Sequence, residues 1–344
     1  MKIDPVSKKV NLALQGGGAH GAFVWGVLDW LLEDGRLAIE AISATSAGAM
    51  NAVVLACGMA TGGPGAARKN LHDFWHEVSQ MDFLLDFISS PWNQWIQALN
   101  LPPEYHPFHA AIHSLTHTLP PHLLNPLNLN PLKDLLLKAV DFTRLNESPE
   151  ATQLFLNATN VRTGKIKVFQ TPSITVEAVL ASACLPPYFQ AVEIDGEHYW
   201  DGGYLGNPAI YPLIYRRGAK DVIIVQVTPI KRDELPRTAA DIMHRINEIS
   251  FNSSLMREMR AIAFATKLID DHELDEGKHS RMLMHWIGND GMMAQFGTAT
   301  QFHPEWGLLC RLRDEGRETA RKWLDQNYEH VGSRSTLDLA EMFL

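Results

Sequence analysis

The feature that most constrains this chain is the segment of residues 39–57, which reads IEAISATSAGAMNAVVLAC. An apolar stretch leads into four small residues (Thr45, Ser46, Ala47 and Gly48), and from Gly48 onward apolar residues recur at helical spacing. The pattern predicts a strand, a sharp turn and a helix, with Ser46 in the turn. Such a nucleophile elbow admits only small neighbours and lifts a serine hydroxyl clear of the sheet. It also directs the N–H groups at the start of the helix toward any charge that develops there.

A second strand–turn–helix unit precedes the elbow. Residues 10–15 (VNLALQ) predict a buried strand, and residues 22–33 predict a helix with one apolar face. Between them lies a glycine-rich turn, made of Gly16, Gly17, Gly18, Ala19, His20 and Gly21. Two such units in succession predict parallel strands covered by helices. The glycine-rich turn and the elbow would then meet at the carboxyl edge of one sheet, where α/β proteins place their sites.

The glycine-rich turn has two functional interpretations besides that of a plain tight turn. Its GxGxxG spacing could cradle a pyrophosphate, which requires an acidic residue at the end of the next strand. Glu40 lies at about the right separation, but at the start of that strand. Alternatively, glycine N–H groups that no side chain shields could bind a tetrahedral oxyanion. The neighbouring Ser46 elbow favours the oxyanion hole.

Charge and cysteine content restrict the remaining function classes. The chain has 344 residues and a formal net charge of −9, which argues against nucleic acid and against tight electrostatic binding to anionic membranes. The three cysteines are too scattered for a disulfide framework or a metal site, which favours a reducing compartment. No signal peptide and no apolar run of membrane-spanning length is apparent. We therefore expect a cytoplasmic protein, at most peripheral to membranes.

Residues 79–132 differ in composition from the rest of the chain. They are rich in Trp, Phe, Leu and Pro, and no Lys or Arg occurs between Lys69 and Lys133. We interpret this segment as an apolar insertion that forms a lid or an acyl-chain channel, with ordinary core packing as the alternative. Four of its histidines fall at helical spacing and a fifth follows, namely His106, His109, His113, His117 and His122. A zinc site would need a further ligand, so we favour a solvated or pocket-lining face and predict no metal.

The remainder of the chain predicts further sheet and helix. The pattern after Cys57 predicts a loop over residues 58–65, and hairpins are expected at residues 154–169 and 192–200. Asp201, Gly202 and Gly203 follow the second hairpin, which places a carboxylate at a strand terminus with room for a substrate. The alternative is a turn with an ordinary capping Asp, and the pattern by itself favours that alternative. Strands are expected at 222–227 and 282–286, and helices from Thr238 to about Asp270 and over 307–327.

Taken together, these motifs resemble those of the patatin-like phospholipase family. The matching pieces are GGGAHG at residues 16–21, ATSAG at 44–48, ASACLPPYF at 181–189 and DGG at 201–203, in the family's order. The resemblance implies a three-layer α/β/α sandwich with a mainly parallel central sheet. It also implies a Ser46–Asp201 dyad without a catalytic histidine, backbone donors in the Gly17–Gly18 turn, and hydrolysis of lipid acyl esters without a metal or other cofactor.

Two positions depart from the family's usual pattern. Ala44 stands where the family usually has glycine, and its methyl group is the smallest intrusion that the elbow can meet, so we expect activity to be kept. His20 stands where the family usually has Arg or Lys. This departure predicts altered handling of a phosphate head group, or an activity that depends on pH near neutrality.

Two alternatives to the dyad stay open at this point. A Ser–Asp–His triad of another α/β-hydrolase type could use a histidine after Asp201, such as His285 or His303. The chain could also be a non-catalytic protein that binds acyl lipids. We expect a single domain over residues 1–344, with an α/β core at about 8–230 and a mostly helical extension at 231–344. Its expected partners are a lipid or other acyl-ester substrate and a transiently contacted membrane surface, and not nucleic acid.

Overall fold

The computed structural model describes residues 7–81, 120–124, 128, 130–148, 152–186, 188–216, 218–271 and 281–343. Its strands are β1 Lys8–Leu14, β2 Leu37–Ala44, β3 Gln153–Asn160, β4 Ile166–Gln170, β5 Val192–Ile194, β6 Glu197–Asp201, β7 Asp221–Val225 and β8 Leu283–Ile287. Its α-helices are α1 Ala22–Asp34, α2 Ala47–Ser79, α3 Pro121–Leu124, α4 Pro131–Ala139, α5 Phe142–Glu147, α6 Val176–Ser182, α7 Tyr211–Tyr215, α8 Ala239–Asp270, α9 Asp290–Met293, α10 Thr298–Phe302, α11 Trp306–Asn327 and α12 Leu339–Phe343.

The eight strands of the described residues form one sheet, with hydrogen-bonded neighbours in the order β5-β6-β3-β2-β1-β7-β8. β6 and β2 pair with different parts of one edge of β3, and β4 pairs with its opposite edge. The β1–β2, β2–β3, β1–β7 and β7–β8 pairs are parallel, whereas β4, β5 and β6 pair antiparallel. The two successive parallel units and both hairpins predicted from the sequence are therefore confirmed. The segment after residue 231, predicted to be mostly helical, also supplies the edge strand β8.

The pairing around β3 brings the two predicted motifs to one place. Strand β2 ends at Ala44, opposite Leu156 of β3, and Asp201 of β6 lies opposite Ala158. Since β4 pairs with the β3 residues that face β2 and also with those that face β6, β2 and β6 share the same edge of β3. Asp201 is thus two residues, or about 7 Å along the strand, beyond the end of β2.

Helices cover both faces of the sheet because its buried strands alternate their side chains between two cores. Leu12 and Leu14 of β1 pack in a core with residues of α1, α2 and α11. Ala13, between them, points into a second core that contains Leu255 and Met259 of α8. The architecture is the expected three-layer α/β/α sandwich.

Helix α2 does not contain the loop predicted at residues 58–65. The chain stays helical through Gly62 and bends sharply at Gly63, where φ is +74° and ψ is −161°. The prediction was wrong about the length of the break, because only Gly63 leaves the helical conformation and Pro64 follows it. A left-handed φ of this kind favours glycine, so a single residue suffices to redirect the helix.

Most of the predicted apolar insertion lies outside the described residues, including His106, His109, His113 and His117. The division into core, insertion and extension therefore stays a prediction. In the ranges that are described, no helix is long and apolar enough to cross a bilayer.

Candidate active site

Ser46 occupies the turn between β2 and α2 and has a left-handed backbone, with φ +55° and ψ −125°. Left-handed φ values are unfavourable for residues with a side chain and occur mostly where the surrounding structure enforces them. Here the Ser46 N–H donates to Ser182 Oγ at 3.0 Å, and the Ser46 carbonyl accepts from the N–H of Met50 in the first turn of α2. Ser46 is nearly buried, at 9% exposure.

The strand end before Ser46 is held by a buried polar network. Ser43 Oγ donates to the Ala209 carbonyl at 2.5 Å, and Thr45 Oγ1 donates to the Gly206 carbonyl at 2.6 Å. Because both hydroxyl protons are used in this way, Asn157 must present its amino group to the hydroxyl oxygens, and it also donates to the Ala44 carbonyl at 3.1 Å. The elbow is therefore fixed by partners on three different segments.

Gly16 lies directly against Ser46. A Cβ at this position would be 2.5 Å from Ser46 Cβ and 2.8 Å from the Thr45 carbonyl oxygen, so only glycine fits. Its N–H donates to Asn207 Oδ1 at 2.7 Å and is not available to a substrate. Within the described structure, the N–H groups of Gly17 and Gly18 have no acceptor. They are therefore the candidate oxyanion donors.

The remaining residues of the glycine-rich turn, Gly18–Gly21, form a 3-10 turn that supports these donors. The His20 N–H donates to the Gly17 carbonyl at 3.2 Å. Ala19 is buried, and Gly21 packs against Ala47, the first residue of α2. These three residues thus shape the turn and join it to the elbow.

Asp201 ends β6 and is 1% exposed. Its Oδ1 accepts from the Gly203 N–H at 2.7 Å, and its own N–H donates to the Cys184 carbonyl at 2.7 Å. Gly202 packs against the Asn157 carbonyl, where a Cβ would be 2.1 Å from the oxygen. The carboxylate at the strand terminus is thus held rigidly through one of its two oxygens.

The second oxygen of Asp201, Oδ2, is buried and has no hydrogen-bond partner among the described residues. Burial raises the pKa of Asp201 to about 7, against the lowering effects of the Gly203 N–H and the Ser46 hydroxyl. The Ser46 hydroxyl is thus close enough to affect the carboxyl, although the two groups do not meet the geometry of a hydrogen bond. Contacts between catalytic groups are often this loose before substrate binds.

His20 is a buried, neutral side chain. Burial lowers its pKa to about 4; His244 acts in the same direction, and Glu248 opposes it. Its Nε2 pairs with Thr300 Oγ1 at 2.9 Å, and its ring lies 5.5 Å from that of Phe296. Of the two consequences predicted for His20, a pH dependence near neutrality does not come from this ring, because burial lowers its pKa to about 4.

The segment around α10 covers the glycine-rich turn from outside. The Gln301 carbonyl oxygen approaches Gly18, where an added Cβ would be only 2.5 Å away. The ring of Phe302, at the end of α10, lies 4.7 Å from that of Tyr188. α10 thus contacts the turn on one side and the segment that follows Cys184 on the other.

His285, one of the two histidines named for the alternative triad, pairs with residues away from Ser46 and Asp201. His285 is completely buried, and its ring nitrogens pair with Asp221 Oδ1 at 2.8 Å and Thr336 Oγ1 at 2.9 Å. The ring of His285 is thus paired away from Ser46 and Asp201. The geometry therefore favours the dyad over the triad.

The nucleotide interpretation of the glycine-rich turn also loses its support. Glu40, the acidic residue that it required, lies within β2 rather than at its carboxyl end. Its carboxylate pairs with Lys9 Nζ at 2.7 Å and Arg216 Nη1 at 3.3 Å.

In the described ranges, no group of three or more potential metal ligands is assembled.

Sequence reasoning missed three residues that hold this site, namely Asn157, Ser182 and Asn207. Asn157 had a signal, since it interrupts the apolar stretch LFLNAT. Ser182 lies within the ASACLPPYF piece but carried no assigned role. No sequence signal marked Asn207, because its partner Gly16 is distant in sequence and only the fold brings the two residues together.

Comparison with known proteins gives a family and several solved structures. The sequence matches the family described as patatin-like phospholipase over residues 12–214, more than half of the chain. It is similar in structure to VipD from Legionella pneumophila, with 19% identity, a TM-score of 0.46, and coverage of 94% of this chain and 67% of that one.

The chain is also similar to ExoU of Pseudomonas aeruginosa, whose structure was solved as a heterodimeric complex with SpcU. The match has 17% identity and a TM-score of 0.40, and covers 95% of this chain and 52% of that one. The chain thus spans about two thirds of the length of the first structure and about half of the second. No curated protein matches the sequence significantly.

Proposed function

Because the chain belongs to the patatin-like phospholipase family, we propose that it hydrolyses acyl-ester bonds of lipids, with Ser46 as nucleophile and Asp201 as general base. The family match supports the lipid acyl-hydrolase class. The assignment of individual residues rests on the geometry of the site. Phospholipids or other lipid esters are the proposed substrates.

The chemistry follows from the positions of the groups. Asp201 Oδ2 accepts the hydroxyl proton of Ser46 while Ser46 Oγ attacks the ester carbonyl carbon. The negative charge that develops on the carbonyl oxygen is stabilised by the N–H groups of Gly17 and Gly18. When the carbonyl re-forms, the carbon–oxygen bond to the alcohol breaks, the alcohol takes the proton from Asp201, and an acyl group remains on Ser46. A water molecule, deprotonated by Asp201, then releases the fatty acid and regenerates Ser46.

The observation that carries this proposal is the free, buried Oδ2 of Asp201. A carboxylate in water is a weak base toward a serine hydroxyl, whereas a base works best when its pKa lies near the working pH. Burial raises the pKa of Asp201 to about 7 and leaves one oxygen without a partner among the described residues. A carboxylate that served only to cap the Gly202–Tyr204 turn would need Oδ1 alone.

His20 bears on the choice of head group. Its ring is neutral at physiological pH, since its pKa is lowered to about 4, and it offers no positive charge to a phosphate near the glycine-rich turn. We therefore propose that selection acts mainly on the ester and its acyl chain. Transient contact with a membrane surface, a cytoplasmic location and the lack of any metal or cofactor requirement stay predictions.

The test combines covalent labelling with hydrolysis. Wild type should react with a fluorophosphonate probe, and it should cleave p-nitrophenyl esters of several chain lengths and release fatty acid from phosphatidylcholine vesicles. Ser46→Ala should abolish labelling and turnover, and Asp201→Asn should leave only residual turnover. Ser250→Ala, at an exposed serine of α8, is the matched labelling control and should behave as wild type.

Two outcomes would decide against the proposal. Folded wild-type protein that neither labels nor hydrolyses any ester would favour the non-catalytic lipid-binding alternative, which binding of a fluorescent fatty acid would then support. Loss of activity in His303→Ala, with the fold intact, would restore the Ser–Asp–His triad.

A further inference from the structure

The loop after Asp201 returns to the glycine-rich turn through Asn207. Asn207 is completely buried, and its Oδ1 accepts from the Gly16 N–H at 2.7 Å. Its carbonyl accepts from Gln15 Nε2 at 3.2 Å, and its N–H donates to Ser254 Oγ at 3.3 Å. Asn207 therefore joins the loop that begins at the proposed base to the turn that carries the proposed oxyanion donors.

The orientation of the Asn207 amide follows from its partner. A backbone N–H only donates, so the atom that faces Gly16 must be the carbonyl oxygen. This leaves Asn207 Nδ2 buried with no partner among the described residues. A buried unsatisfied amino group lowers stability. Packing alone therefore does not explain why a polar side chain occupies this position.

The Gly16 hydrogen bond has a direct consequence for the nucleophile. Gly16 contacts Ser46, and the orientation of its peptide sets the direction of the next N–H groups, those of Gly17 and Gly18. If the Gly16 N–H were released, the turn could rotate and aim these donors away from the position of the oxyanion. Small misplacements of catalytic groups cost large factors in rate.

We propose that Asn207 is a positioning residue. It fixes the glycine-rich turn relative to the loop of residues 202–207 that follows Asp201. This one loop then sets the positions of both the proposed base and the proposed oxyanion donors. This inference rests on the proposed function. It adds a residue that acts through Gly16 and does not itself contact the reacting atoms.

The main test is Asn207→Ala, compared with Asn252→Ala. Asn252 is buried in the same network and accepts from Gln15 Nε2 at 3.1 Å, but it does not contact Gly16. In Asn207→Ala, kcat for p-nitrophenyl esters should fall about 10- to 100-fold, with KM changed by less than about threefold. The inhibition constant of a trifluoromethyl ketone, whose hemiketal oxygen occupies the oxyanion position, should rise in parallel. Asn252→Ala should lower the melting temperature without changing either quantity.

A second variant, Asn207→Asp, covers the case in which Asn207→Ala does not fold. It keeps the acceptor for Gly16 and removes no hydrogen bond of the described structure, because Nδ2 donates to no described group. An ionised carboxylate there would repel the developing oxyanion. The ratio of its kcat to that of wild type should therefore fall as pH rises from 5 to 9, by about tenfold or more.

The outcomes distinguish a failure of the proposed function from a failure of the role proposed for Asn207. If wild type neither labels nor turns over, the proposed function fails. If wild type is active, the role of Asn207 is overturned when folded Asn207→Ala keeps wild-type kcat and ketone affinity. Where Asn207→Ala does not fold, the role is overturned when folded Asn207→Asp has a low kcat at every pH, since a variant that keeps the acceptor for Gly16 should be active wherever its carboxyl is protonated.

Discussion

Two buried aspartates on the same sheet show how similar residues come to differ in role. Asp221 begins β7, and its Oδ1 accepts from His285 Nε2 at 2.8 Å and from the Gly332 N–H at 2.7 Å. Asp201 ends β6, and its Oδ2 has no partner in the described part of the chain. By residue type, the Asp221–His285 pair resembles part of a catalytic triad more closely than Asp201 does.

Position in the sheet decides between the two. Val225, at the end of β7, is level with Leu14 and so with the edge where Ser46 lies, whereas Asp221 is four residues earlier. At about 3.3 Å per residue, Asp221 lies about 13 Å from that edge. A carboxylate whose partners are supplied by the fold stabilises the fold. A carboxylate with a free oxygen at the carboxyl edge is available for chemistry.

The largest expected effect is on turnover, and it separates the two aspartates. Asp201→Asn should lower kcat by about 10²- to 10⁴-fold, the usual contribution of a general base. Asp221→Asn should keep kcat per folded molecule within about threefold, since it lies far from the reacting atoms. The measurement is p-nitrophenyl ester hydrolysis, normalised to the folded fraction from circular dichroism.

The proposed difference in role between Asp201 and Asp221 would be wrong if the two variants lost activity equally while both remained folded. Asp221 would then act on the site through the sheet. If only Asp221→Asn lost all ester hydrolysis, the Asp221–His285 pair would be the catalytic pair.

Sequence reasoning could recover the parts of this site that lie close together along the chain. The elbow at Ser46 and the turn at residues 16–21 are each encoded by small residues between a strand and a helix. The β1–β2 pairing and both hairpins follow from local patterns of the same kind. The hairpin pattern placed Asp201 at a strand end, but its role as base came from the resemblance to the patatin-like family, and the edge that it shares with Ser46 depends on the register of β3.

What the sequence could not supply were properties that arise from packing. The bond from Asn207 to Gly16 joins residues 191 positions apart. The acid shift in the pKa of His20 comes mainly from burial. The predicted break over residues 58–65 was too long because glycine frequency alone does not show which glycine leaves the helix.

The second expected effect is a pH-dependent rate. Asp201 must be deprotonated to act as the base, and burial raises its pKa to about 7. kcat/KM should therefore rise about tenfold per pH unit below this value and level off above it. Measurement of kcat/KM from pH 5 to 9 tests this, and Asp221→Asn should show the same midpoint. A flat profile in this range would exclude Asp201 as the titrating base.

The third effect concerns stability and has opposite signs for the two aspartates. Asp201 has a raised pKa in the folded state, so folding favours its protonated form, and its contribution to stability is lost as pH rises from about 4 to about 7. At pH 8, Asp201→Asn should raise the free energy of unfolding by roughly 1–4 kcal/mol. Asp221→Asn should lower it by roughly 1–2 kcal/mol, because it weakens two buried hydrogen bonds.

Urea unfolding at pH 5 and pH 8 measures both stability changes. The gain in Asp201→Asn should shrink at pH 5, where the wild-type carboxyl is largely protonated. If Asp201→Asn were destabilised at pH 8 as Asp221→Asn is, Asp201 would be a structural residue.

A smaller effect is expected at the backbone of Ser46. Its φ of +55° is unfavourable for any residue with a side chain, so Ser46→Gly should be more stable than Ser46→Ala by about 1 kcal/mol. Both variants lack the hydroxyl group, so the difference reports the backbone alone. Thermal unfolding of the two proteins side by side measures it. Equal stabilities would mean that the neighbours of Ser46 relax the turn after substitution.

The smallest effect is expected at His20, which tests whether Asp201 alone accounts for the titration near neutrality. His20 is buried within the glycine-rich turn, and its pKa is lowered to about 4. The ring is therefore neutral at every pH at which the enzyme is expected to be active. His20→Gln can still pair with Thr300, and it should change kcat by less than about fivefold and leave the pH midpoint near 7. A midpoint that moves by a full unit in the kcat/KM profile would show that His20 and Asp201 titrate as a coupled pair.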